Sequence, residues 1–169
     1  MIVKDAMVLI HLAKITLLRK SCEYFSEVII PTLVYEEILK GEDKGYGEVI
    51  LIKEAVNSKM IKIIKVTNND LLERAKEFNI KEGEGEAVAL YWQEKADFLA
   101  TDDDNVRRKE GMLSISIIGT PAIIINLYKS QLITEEKYLA CIEELKKIGW
   151  FSNQVIDRMK MEVKKWNNQ

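Results

Sequence analysis

A chain of 169 residues, 47% apolar and 31% charged, can bury a core without disulfides or a structural metal, which excludes a stapled mini-domain and a disordered chain. Its formal net charge of −2 excludes a global basic field for holding nucleic acid, so any polyanion must be gripped by local clusters or by bound cations. Cys22 and Cys141 are the only cysteines and form no C-x-x-C, which argues against zinc and redox roles; no apolar run approaches membrane-spanning length, and a cytoplasmic protein without a membrane partner is expected.

Ile2–Lys4 reads as a short strand ending at Asp5, and Met7–Lys14 as a largely buried helix. A second helical piece follows around Leu17–Lys20. Val28–Ile30 is a β-branched strand stopped by Pro31, and Thr32–Lys40 is a helix closed by Gly41. Residues 41–47 carry three glycines and read as a mobile lid or connection. A helix near Glu48–Ser58 leads to the strand Ile61–Val66, and Asn68 or Asn69 caps a helix to about Phe78. Gly83-Glu84-Gly85-Glu86 opens a helix over Ala87–Trp92. A strand at Phe98 then runs straight into Thr101-Asp102-Asp103-Asp104, followed by a helix through Arg107 and Arg108. After the strand Ile115–Ile118, Thr120 is the expected N-cap, with Pro121 at the first helical position. From Thr134 the spacing predicts amphipathic helices over Glu135–Ile148 and Asn153–Trp166, the second capped by Ser152.

Five strands separated by helices predict an α/β protein with a mainly parallel sheet covered on both faces and right-handed crossovers. Without a linker or repeat, residues 1–169 read as one domain: a core over about 2–130, with the helices of about 134–166 packed on it. Ligands of such sheets sit beyond the carboxyl ends of the strands, where Asp5 and Asp102 to Asp104 fall.

Asp5, Glu37, Glu86 and Asp102 or Asp103 occupy corresponding places at strand ends and helix starts. Singly, each has an ordinary explanation: Asp5 as an N-cap, Glu86 as a charge favoured at a helix start. Glu37, beside the inward Ile38, can reach the sheet edge, whereas Glu36 points about 100° away. Together they form an oxygen-only set of the kind that holds Mg²⁺ or Mn²⁺, positions a water and offsets charge on a phosphodiester. The lone His11 lies in an apolar helix and reads as packing or surface.

These residues also carry a likeness to a known family. In order along the chain, Asp5-Ala6-x-x-Leu9-Ile10-x-Leu12-Ala13-Lys14-Ile15, Pro31-x-x-Val34-x-x-Glu37-Ile38, Gly85-Glu86-Ala87 with Ala89-Leu90, Thr101-Asp102-Asp103 with Arg107, and Ile118-Gly119-Thr120 resemble the PIN-domain family of metal-dependent nucleases. Gly149-Trp150-Phe151-Ser152 resembles its branch of VapC-like toxin ribonucleases. The resemblance implies a three-layer α/β/α sandwich with sheet order 3-2-1-4-5 and RNA cleavage with Mg²⁺ or Mn²⁺. It further implies an acidic set of Asp5, Glu37, Glu86 and Asp103, with metal on Asp5, Glu86, Asp102 and Asp103, and a Thr101 hydroxyl that orients a carboxylate. An antitoxin partner and a homodimer are further associations of that branch. One departure is Met7, where relatives carry a small hydroxyl residue that bonds water or substrate.

Arg107, Arg108 and Lys109 follow the acidic strand end and are candidates for holding the RNA phosphate, or a solvated face offsetting the acids. Lys160, Lys164 and Lys165 offer a rim, and Tyr46 a stacking ring, with ordinary surface and packing roles as the alternatives. Asp104 is expected as a solvated or capping acid. The competing functional reading is a catalytically weak PIN-like module that binds RNA or protein; a receiver-like domain is disfavoured because Val66-Thr67-Asn68 supplies no phosphorylatable Asp after strand three.

Overall fold

A computed structural model describes residues 1–167, apart from the side chains of Asp43, Trp166 and Asn167. The chain begins β1 (Ile2–Lys4), α1 (Ala6–Lys14), α2 (Leu18–Tyr24), β2 (Val28–Pro31), α3 (Thr32–Leu39), a 3-10 turn (Glu42–Lys44), α4 (Gly47–Asn57), β3 (Lys62–Ile64), α5 (Asn69–Glu77) and α6 (Glu82–Glu94). It continues β4 (Phe98–Ala100), α7 (Asp104–Arg107), α8 (Glu110–Leu113), β5 (Ile117–Ile118), α9 (Thr120–Lys129), α10 (Glu135–Ile148) and α11 (Asn153–Asn167). All five strands are parallel, in the order β3-β2-β1-β4-β5 that the resemblance implies.

The two-residue period of the strands builds the layers. Ile2, Val28, Ile30, Ala100 and Ile118 face a core shared with α1, α2, α3, α4 and α9. Val3, Ile29 and Leu99 face the opposite core, covered by Ala87 to Leu90 of α6 with Ala75, Val106 and Leu113. Burial on both sides explains why these strands are near-continuous apolar runs. Tyr138, Cys141, Ile142 and Leu145 of α10 and Ile156, Met159 and Val163 of α11 join the first core, and the Tyr138 hydroxyl donates to the Met159 carbonyl at 2.9 Å.

Several local expectations change. Residues 41–47 are not an open loop: the 3-10 turn fills the middle, Gly45 closes it at φ 73°, and α4 begins at Gly47. The helix after the acidic run breaks into α7 and α8 at Arg108 and Lys109. Glu82, not Ala87, starts α6. Thr120 lies inside α9 and Gly119 takes the cap position, because the Thr120 hydroxyl is drawn away to a carboxylate. Asn68 and Ser152 do accept from the backbone N–H groups of Asp70 and Val155.

Candidate active site

Parallel strands deliver their carboxyl ends to one edge, and the helices that follow present their N-termini there. Each candidate acid accepts from one of those N-termini. Asp5 Oδ1 takes the Val8 N–H of α1 at 2.8 Å, and Asp103 Oδ1 takes the Val106 N–H of α7 at 2.9 Å. Glu37, on α3, reaches the Gly83 N–H of α6 at 3.1 Å, while Glu86, on α6, reaches the Leu33 N–H of α3 at 2.9 Å. This reciprocal pair substitutes for local caps, which Pro31 and Lys81 do not provide. It also favours Gly83, because a Cβ there would overlap the Glu37 carboxylate and push it off the Gly83 N–H.

Asp5 directly follows β1 and Asp102 lies two residues beyond the end of the adjacent β4, with Lys4 and Ala100 in register. Both are buried, yet their surroundings differ. Asp102 Oδ1 accepts from the Thr120 N–H at 2.8 Å; Oδ2 accepts from the Thr120 hydroxyl at 2.5 Å and lies 2.8 Å from His11 Nδ1. Gly119 lies close beside it: a Cβ there would crowd the Arg107 guanidinium and stand 3.0 Å from Oδ1. Asp5 has only Val8 N–H and the Thr101 hydroxyl; burial pushes its carboxyl up to about 7, and the charges of Asp102 and Glu84 push the same way. Thr101 is buried and also accepts from the Asp103 N–H at 3.1 Å.

Glu84 is the acid that sequence reasoning missed. Its charge acts on both Asp5 and Glu37, and the Glu37 carboxyl is raised chiefly by burial, with Glu84 and Glu82 adding to it against the Gly83 N–H. Two residues apart on α6, Glu84 and Glu86 point about 200° apart. Glu86 turns to α3; Glu84 adds to the negative field at Asp5. Gly83, one residue before Glu84, was the available signal: it is buried where Glu37 of α3 approaches α6. His11 is neither surface nor plain packing, as its bond to Asp102 shows; a polar ring in a buried apolar helix needs a partner.

Arg107 and Arg108 are exposed on α7 and at its end. The Arg107 guanidinium lies over Gly119 and donates to the Thr101 carbonyl at 3.3 Å, which places it on the acidic edge. Asp104 is exposed in the first turn of α7. Lys160, Lys164 and Lys165 are exposed on α11, Tyr46 is exposed before α4, and Met7 is half-buried in the first turn of α1. Beyond Arg107 opens a cleft of about 400 Å³ lined by α7, the start of α9 and the α10–α11 junction, with Trp150 and Phe151 in its wall.

A family model described as a PIN domain matches residues 1–165. The chain belongs to the PIN-domain family. No curated protein and no solved structure matches it. PIN domains are generally nucleases that act on nucleic acid with divalent metals. Among the described residues of this PIN domain, no group of three or more His, Cys, Asp or Glu side chains is drawn together as a metal cluster, and no helix is long and apolar enough to cross a membrane. The donor chemistry nevertheless fits a hard cation: the acids offer only oxygen, and one oxygen of Glu37, Glu86 and Asp103 is free of the capping bond. The buried Asp5 charge, with two further carboxylates acting on it and no cationic side chain bonded to it, is of the kind that a divalent ion offsets.

Proposed function

We propose that this PIN domain, as one unit over residues 1–169, is a Mg²⁺- or Mn²⁺-dependent endoribonuclease that hydrolyses RNA phosphodiester bonds. The observation that carries the reading is Asp5: a buried carboxylate short of donors, next to Asp102 and Glu84, at the edge where Arg107 stands. Asp5, Glu37, Glu84 and Asp103 are the residues that would hold the ion; Glu86 shares in this if it leaves Leu33. Asp102 contributes the last lone pair of Oδ1, the others being taken by Thr120 and His11. A bound divalent ion supplies a more acidic water and neutralises charge developing on the phosphate.

The chain's own residues perform the rest. Thr101 donates to Asp5 and thereby fixes the carboxylate's direction while favouring its ionised form. Arg107 and Arg108 bring positive charge to the RNA phosphates, so their loss weakens binding in a salt-dependent way. Replacing Asp5 with Asn keeps an acceptor for the Val8 N–H and removes the charge. Divalent-dependent cleavage should then vanish while the circular dichroism spectrum is retained. If the wild-type protein cleaves no RNA in any divalent metal, or Asp5→Asn cleaves as well as wild type, the nuclease reading fails.

A second reading has its own observation. Asp5, Glu37, Glu86, Asp102 and Asp103 each already accept from a backbone N–H at a helix start, and Met7 replaces a hydroxyl, as expected of a scaffold that binds RNA or protein without turnover. Calorimetric Mn²⁺ titration separates the two, because a scaffold needs no carboxylate-dependent site. The biological setting we infer is the toxin of a toxin–antitoxin pair acting in the cytoplasm. An adjacent small reading frame whose product copurifies with the chain tests the pairing, and sedimentation tests a homodimer.

A further inference from the structure

We propose that the cleft beside Arg107 is a subsite for one unpaired nucleotide of the RNA strand, with Trp150 as the stacking surface and Arg107 and Arg158 as phosphate ligands. The proposal rests on the nuclease reading for the identity of the strand, and on the cleft itself for the rest. At about 400 Å³ the cleft falls within the ~300–1,000 Å³ of small-ligand sites. Trp150 is 51% exposed, yet its indole N–H donates to the Asp102 carbonyl at 3.2 Å, so the ring is held in place rather than free. Behind it, Phe151 meets the His11 ring edge-on at 5.3 Å. An immobilised, half-exposed indole leaves apolar surface in water that a base face can cover.

The cations supply the second half of the site. Among the described residues, no carboxylate oxygen lies within 4.0 Å of either Arg107 or Arg158, although Arg19 and many lysines are paired. Arg107 spends one N–H on the Thr101 carbonyl and keeps the others. Asp104 stands in the same wall and opposes a phosphate on its own side, which leaves the arginine side as the backbone track. Asp102 links the two sites: its carbonyl holds Trp150 and its carboxylate neighbours Asp5. A nucleotide in the cleft therefore flanks the bond presented to the acids. The base must be unpaired, because a duplex does not expose its base faces to an aromatic ring.

The test is fluorescence anisotropy of a labelled 12-nucleotide single-stranded RNA in EDTA with the full chain, where no cleavage occurs. Trp150→Leu should weaken binding on the order of tenfold or more, while Trp150→Phe keeps most of the affinity. Arg158→Gln, at an exposed site that does not threaten folding, should lower the salt slope by about one. Parent-like affinity and salt slope in Trp150→Leu and Arg158→Gln would overturn the subsite, as would equal losses in Trp150→Leu and Trp150→Phe or the same Trp150→Leu loss on duplex RNA. The two readings separate cleanly. Binding that depends on Trp150 in a protein that never cleaves sinks the nuclease and keeps the subsite, whereas cleavage with an unchanged KM in Trp150→Leu does the reverse.

Discussion

Asp5 and Asp102 lie just beyond the ends of neighbouring strands, are almost equally buried, and have opposite provisions. Asp102 is enclosed by His11 and by both polar groups of Thr120; Asp5 has one backbone N–H and one hydroxyl, and its carboxyl rises to about 7 through burial and the charges beside it. Burial alone therefore does not separate a structural acid from a reactive one. Donor supply does, because a buried carboxylate with three of its four lone pairs bonded, like Asp102, is largely settled, and one left with two donors, like Asp5, is waiting for a cation or a proton.

The strongest way to break this contrast is Asp102→Ala. It strips partners from His11 and Thr120 in the interior and releases the start of α9, so it should cost about 3 kcal/mol or more in urea unfolding. A loss below about 1 kcal/mol would show that the enclosure of Asp102 contributes little.

Asp5→Asn should move stability the other way in metal-free protein. The folded carboxyl of Asp5 titrates near 7 against an ordinary value of 3.8, so the neutral form is the one the fold favours. Its contribution to stability is fully present below the unfolded value and is lost as pH rises through about 7. Asn therefore gains on the order of 4 kcal/mol over wild type at pH 8, and the two converge below pH ~4. Thermal melts across pH in EDTA measure the gap. Added Mn²⁺ at pH 8 should close it by raising only the wild-type Tm. Melts that run parallel at all pH values would show that Asp5 carries no uncompensated charge.

Much of this arrangement was legible in the chain. Short apolar runs gave the strands, because these depend on local period, whereas the sheet order was what the resemblance of the ordered motifs to the family implied. What resisted reading was non-local. His11 finds its partner 91 residues away, and Thr120 forsakes its cap for an acid 18 residues back. Glu84 and Glu86 are indistinguishable in composition and differ only in which element each meets, which the helix places on opposite sides. Trp150 resembled a family motif, but its exposure and its bond to Asp102 belong to packing between α11 and the sheet edge.

A finer version of the comparison lies within α6. Glu86 is provided for by the Leu33 N–H, and Glu84 acts on Asp5 and Glu37. Glu84→Gln should weaken Mn²⁺ binding roughly tenfold by isothermal titration, the expected scale for losing one carboxylate near an ion. Glu86→Gln retains an oxygen for Leu33 and should lose less. Reversed magnitudes would return Glu86 to the metal site in place of Glu84.

The smallest expected effect concerns Asp104, whose two predecessors are spoken for by Thr120, His11 and the α7 N-terminus. Asp104 is exposed and lines the Trp150 cleft, so its charge opposes RNA phosphate without serving the acids. Asp104→Asn should tighten single-stranded RNA binding about two- to threefold at 50 mM salt. The gain should fade by about 0.3 M as the Debye length shrinks toward 6 Å. No change in catalysis at saturating RNA should accompany it. A large loss of kcat would instead place Asp104 among the acids that hold the ion, and the division of the acidic run into bonded, capping and repelling members would have to be redrawn.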